Sequence, residues 1–169
     1  MKITEEQKQR LEDLYQTFLN DEKILRMKNI SMHRGSNCYE HSFKVAKKAI
    51  KKAINTKDVN LEVVLLGAIL HDYYLYDWRS DRSKLKKHGH NHPGIAIENA
   101  VRDFNISEDV KKVIKTHMWP INIKQFPNTK EAKIVSLADK AVTIGESLSS
   151  KSYKKKKREK YLSYISHLF

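Results

Sequence analysis

Cysteine occurs once in the 169 residues, at Cys38. A single thiol forms no intramolecular disulfide and builds no CxxC zinc site, so a reducing, cytoplasmic setting is expected. Glycine and proline are scarce too, at five and three residues, which argues against a turn-rich all-β architecture and for helices. No apolar run approaches the roughly 20 residues needed to span a bilayer, so no membrane partner is expected. The first residues include Glu5 and Glu6 and no apolar core, unlike a signal peptide. No segment alternates convincingly with the period of a strand, and no internal repeat is found. What the chain has in excess is positive charge. The 33 Lys and Arg against 20 Asp and Glu give a net charge of +13, which favours an anionic ligand or surface without identifying one. Apolar content is ordinary for a folded chain, and the length suits one domain, 1–169, around a single core.

The expected fold is an all-α, single-domain helical bundle. Leu11, Leu14, Tyr15, Phe18 and Leu19 recur at helical spacing and predict a packing helix over 4–20, starting at Thr4. Gly35, Ser31, Ser36 and two Asn mark 27–38 as a loop. Helices are then expected over about 39–55 and 60–73. The stretch 74–91, with Trp78, Arg79, Arg82 and three Lys, reads as an irregular functional loop. Pro93 suits the first turn of a further helix, and Ser107 caps the next one, whose apolar stripe is Val110, Val113 and Ile114. Asn128 with Glu131 resembles a capping box opening a long helix to about 148. The core thus spans about 32–146. Beyond it, Lys151, Lys154 to Lys157, Arg158 and Lys160 precede Tyr161, Leu162, Tyr164, Ile165, Leu168 and Phe169, a pattern for a last amphipathic helix, 151–169, with a basic face.

The chain is organised around Ala68-Ile69-Leu70-His71-Asp72, an apolar run that ends directly in an imidazole and a carboxylate. Burying that pair is costly unless both groups are compensated, either by hydrogen bonds within the core or by a metal ion. His41 shares a helix face with Val45 and Ala49; His117 falls on the stripe of Val110 and Ile114; Asp139 lies between Val135 and Val142 on an inward face. An inward His is commonly a satisfied core residue, whereas an inward carboxylate in mid-helix is rare. Four helices that each present such a group point to one metal site inside a bundle.

The order His41, His71-Asp72, Asp139, with Tyr39-Glu40-His41-Ser42, Leu70-His71-Asp72 and Ser136-Leu137-Ala138-Asp139-Lys140 around them, resembles the HD-domain metal-dependent phosphohydrolase superfamily. The resemblance covers about 32–146. It implies that His41, His71, Asp72 and Asp139 hold one divalent ion. In members with two ions, two further histidines fall where His92 and His117 stand, with Asp72 as the bridge. The chain departs from the subgroup that cleaves cyclic dinucleotides. Asp72 is followed by Tyr73-Tyr74-Leu75 in place of Gly-Lys, and Thr116-His117-Met118-Trp119-Pro120 replaces a doubled histidine. The segments around Tyr73 to Trp78 and Lys115 to Pro120 resemble a group of small bacterial HD proteins known as predicted phosphohydrolases, a match that names a reaction class and no substrate.

Two ions about 3.5–4 Å apart would hold a hydroxide as nucleophile and neutralise a phosphoryl oxygen. Imidazole-carboxylate ligation points to iron or manganese first, with cobalt, nickel and magnesium as alternatives. The catalytic set is then Asp72, His71, His92 and His117. His33, His88 and His90 are candidates for proton donation or phosphate contact, each weighed against an exposed loop histidine. Lys140 and Arg79 are candidates for substrate charge, weighed against a solvated face. Tyr73, Tyr76 and Trp78 are candidates to stack a base, weighed against core packing. The expected function is hydrolysis of a phosphomonoester or phosphodiester in a nucleotide or other small phosphorylated metabolite. Two alternatives stand beside it: a nucleic-acid or acidic-surface binding protein using 151–160, and a catalytically silent HD sensor or scaffold.

Overall fold

The computed structural model describes residues 3–32, 36–77 and 82–148, with side chains described throughout except at 82–87. Among these residues are seven α-helices and no strand: α1 (Glu5–Asn20), α2 (Glu22–Leu25), α3 (Cys38–Ala53), α4 (Leu61–Leu70), α5 (Arg82–Phe104), α6 (Glu108–Thr116) and α7 (Lys130–Leu148). A 3-10 turn, Arg26–Asn29, follows α2, and one antiparallel bridge joins Ser31 to Asn37. The fold is all-α. His33, Trp78, Arg79 and the basic segment 151–169 lie outside the described residues.

Most helices start where the sequence supplies an acceptor for orphan backbone N–H groups. Thr4 and Gln7 form a reciprocal capping box on α1. Asp21 accepts from Lys23 and Ile24 and opens α2, a short helix within what sequence periodicity leaves blank. Asn37, Asn60 and Ser107 do the same for α3, α4 and α6. The start of α7 differs from expectation. Thr129 caps it, accepting from the Ala132 N–H at 3.1 Å, while Glu131 accepts from the Asn60 backbone N–H at 2.9 Å. The expected capping box is therefore a tie between the starts of α7 and α4.

Helix α4 is the centre of the bundle. Val63, Val64, Leu65, Gly67, Ala68, Ile69 and Leu70 are all buried, and a helix apolar on nearly every side must be surrounded. It packs against α3, α6 and α7, and also meets α1 and α5. It meets α6 closely at Gly67, where an added Cβ would lie 2.5 Å from Val113 Cγ1. Outside this layer α1 lays Leu11, Tyr15 and Phe18 onto the core. The Tyr15 ring meets Phe43 edge-on at 5.3 Å, and Phe18 meets Phe104 at 5.0 Å.

The region 82–91 corrects a second expectation. It is helical, and α5 runs through Pro93 without a fresh start. Proline removes the ladder bond to Gly89, four residues back. However, His88, His92, Ala96 and Ala100 recur every four residues straight through it, and the last three are buried. Burial of that stripe outweighs the lost bond. His92 consequently has a helical backbone, where the following proline alone predicts an extended one.

Candidate metal centre

Five helices converge on one point beside the end of α4. His41 comes from the first turn of α3, His92 from α5, and Asp139 from the middle of α7. His71 and His117 occupy the C-terminal caps of α4 and α6, and Asp72 follows His71. None of the six is more than 9 % exposed. The structure thus brings together all six residues that the sequence and its family resemblance single out.

The histidine rings are oriented from behind. The Nδ1 atoms of His71, His92 and His117 lie 2.8, 2.8 and 2.7 Å from the carbonyl oxygens of Ala68, His88 and Ile114. A carbonyl only accepts, so Nδ1 carries the proton, and the neutral ring keeps its lone pair on Nε2. His41 is held from behind by the Glu146 carboxylate, 3.0 Å from Nδ1, while its Nε2 lies 3.1 Å from Asp139 Oδ1. All four Nε2 atoms then face inward. His92 Nε2 and His117 Nε2 are 2.9 Å apart; with both Nδ1–H groups turned to carbonyls, neutral rings would aim their lone pairs at each other. His71 Nε2 is a buried polar atom that makes no well-aligned hydrogen bond among the described residues, its nearest carboxylate oxygen being Asp72 Oδ2 at 3.2 Å. A cation among these atoms relieves both conditions, so the donor set fits a metal.

Asp72 divides the cluster. Its Oδ2 lies 3.2 Å from His71 Nε2 and 3.9 Å from His41 Nε2. Its Oδ1 lies 3.2 Å from His92 Nε2 and 3.7 Å from His117 Nε2. Asp139 Oδ1 belongs with the first pair, 3.1 Å from His41 and 3.8 Å from His71. One half is therefore His41, His71, Asp139 and one Asp72 oxygen; the other is His92, His117 and the second Asp72 oxygen. The trios His41, His71, Asp72 and Asp72, His92, His117 each bring their ligand atoms within 4.8 Å of one another. The trio His71, His117, Asp139 does so as well, which keeps the halves in contact.

The halves also differ electrostatically. Burial disfavours a charged His41, but hydrogen bonds to Asp139 and Glu146 and the Asp72 charge outweigh it, holding the ring at about 10. Burial raises Asp139, and the hydrogen bond from His41 with neighbouring His71 overcomes that, to about 2. Asp72 is likewise driven well below its ordinary value despite burial, by His71 and then His92. His117 goes the other way. Burial, with His71 and His92 beside it, pushes it down to about 3. The His41 half concentrates charge, whereas the buried His117 ring is held neutral.

The outlying candidates fall differently. His88 stacks on His92 at 4.6 Å, and its Nδ1 meets the Tyr76 hydroxyl at 2.8 Å. His90 is exposed, pointing away from the buried residues on the same helix. Lys140 folds its ammonium onto the His117 carbonyl, at 3.0 Å, and the Ser136 hydroxyl, at 2.7 Å. Tyr73 is a core residue, packed on Phe104 and donating to Asp103 Oδ2 at 2.9 Å. Sequence reasoning missed two supporting groups. Cys38 donates its thiol to the Asp72 carbonyl at 3.0 Å. Glu146 was legible as the carboxylate seven residues beyond Asp139, on the same face of α7.

The family model of the HD domain matches residues 38–143, and these carry all six clustered side chains. No curated protein and no solved structure matches the chain. With more than half of its length in that match, the chain belongs to the HD domain family.

Proposed function

We propose that the protein is a metal-dependent phosphohydrolase, forming one HD-type domain over the whole chain, that acts on a nucleotide or another small phosphorylated metabolite. The observation that carries this reading is the division of Asp72, whose two oxygens face separate imidazole pairs. In this reading His41, His71, Asp139 and Asp72 hold one divalent ion, and His92, His117 and Asp72 hold a second. Ions bound there supply water activation and neutralise charge developing on a phosphoryl oxygen. The residues supply the rest. The carbonyls behind His71, His92 and His117 fix the rings before binding, so little reorganisation is needed. His88, seated against His92 and bonded to Tyr76, is the side chain best situated to hold a proton near a leaving group. Lys140 supports the His117 end by bonding its carbonyl. A reducing, cytoplasmic setting suits the single buried thiol, and no helix among the described residues is long and apolar enough to cross a membrane.

The test is anaerobic metal analysis followed by a screen of phosphomonoesters, nucleotides and cyclic nucleotides against the loaded protein. Tightly held iron or manganese with turnover of one substrate class is the expected result. Stoichiometric metal with no turnover on any class would favour the silent-module alternative. Absence of bound metal, with tight salt-sensitive binding of nucleic acid, would favour the binding-protein reading.

A further inference from the structure

We infer that Glu146 is a positioning residue for the His41 half of the centre, with Lys44 as its anchor. The inference rests on the metal-binding reading above and adds a residue to it. Three of the four histidines are aimed by main-chain carbonyls of Ala68, His88 and Ile114. Those acceptors belong to the helices themselves and no side-chain substitution removes them. His41 stands in the first turn of α3 and is aimed by a side chain instead. Glu146 Oε2 accepts from its Nδ1 at 3.0 Å. The second Glu146 oxygen, Oε1, is held by the Lys44 ammonium, one turn after His41 on α3. The Glu146 side chain is only 10 % exposed, so this is a sheltered contact across two helices rather than a solvated surface pair.

The geometry has two effects. With Nδ1–H held by Glu146, the proton that His41 gives up to a cation is the one on Nε2, whose lone pair would then face the point shared with Asp72 and Asp139. A carboxylate behind an imidazole also makes the ring a stronger donor to a cation than a carbonyl does. Lys44 holds the other oxygen of that carboxylate in place across the two helices. Glu146 lies just beyond the stretch matched by the family model, 38–143. Its loss should weaken one half of the centre and leave the His92–His117 half as it was.

The experiment is manganese(II) titration of the full-length metal-free protein, read by calorimetry, for wild type, Glu146→Ala, Glu146→Gln and Lys44→Met. Nitrogen-15 spectra of the zinc-loaded proteins report which ring nitrogen of His41 carries the proton, independently of any activity. Glu146→Ala is expected to weaken one manganese site by about 10- to 100-fold and to lose the protected Nδ1 proton of His41. Glu146→Gln keeps an acceptor oxygen and should recover part of the affinity and the Nδ1 proton. Lys44→Met should give a smaller loss at the same site. Unchanged affinity and an unchanged His41 proton in Glu146→Ala would overturn the assignment while leaving the metal centre standing. Weakening of both sites to the same degree in all three variants would mark a structural role and overturn it too. Wild-type protein that takes up no manganese or zinc would overturn the metal reading and this inference together.

Discussion

His92 and His117 lie on the Asp72 Oδ1 side, and His90, two residues before His92, is exposed. Replacing His92 or His117 by Ala should therefore leave one ion bound through His41, His71, Asp72 and Asp139 and reduce turnover by orders of magnitude. Replacing His90 by Ala should change neither. Metal content and turnover of the three variants decide it, and a severe effect confined to His90 would assign the second half to the wrong histidine. A pH effect is expected outside the six clustered residues, at Asp103. The hydrogen bond from Arg102, and after it that from Tyr73, hold the Asp103 carboxyl down at about 2, against an ordinary value of 3.8. The folded-state value is depressed, so the stabilisation is present above pH about 4 and is lost as pH falls through about 2. Acid unfolding should show wild type losing stability over that window relative to Asp103→Asn; parallel curves would contradict the link. Most of the cluster was legible in sequence at this scale, because His41, His117 and Asp139 each share a helical stripe with apolar neighbours. Glu146 escaped attention because a carboxylate near a helix end ordinarily reads as solvated.

At the scale of elements, the α4–α6 contact is the tightest test of the packing. An added methyl at Gly67 meets Val113 at 2.5 Å, so the helices must move apart or Val113 must shift. Gly67→Ala should cost about 1–3 kcal/mol, and combining it with Val113→Ala should cost less than the sum of the single changes. Additive costs from chemical denaturation would mean that the two helices do not meet there. Because α6 ends in His117 and α4 ends beside Asp72, Gly67→Ala should also loosen metal at the second half. The helices α1, α3, α4 and α6 follow from their caps and apolar stripes. Helix α7 also runs where expected, to 148, while α2, the first part of α5 and the cap of α7 were not legible. Pro93 argued locally for a helix start, and only the burial of His92, Ala96 and Ala100 explains why α5 passes through it. Glu131 has the spacing of a capping box, but a tertiary partner, the Asn60 N–H, takes its carboxylate.

For the whole molecule, the net charge of +13 and the six buried ligand-type residues are separate properties. Neutralising Lys151, Lys154 to Lys157, Arg158 and Lys160 should weaken salt-sensitive binding of polyanions and leave turnover of a small substrate near wild type. A large loss of turnover with folding intact would tie that segment to the active site. Five helices meet at Asp72, and the two-ion reading depends on that carboxylate joining the halves. Its most direct test is the number of tightly bound divalent ions per chain, measured anaerobically on wild type and Asp72→Ala. Two ions in wild type and none held tightly in Asp72→Ala, with a smaller loss of metal-free stability than a core deletion causes, is the expected result. Two ions retained by Asp72→Ala would contradict it.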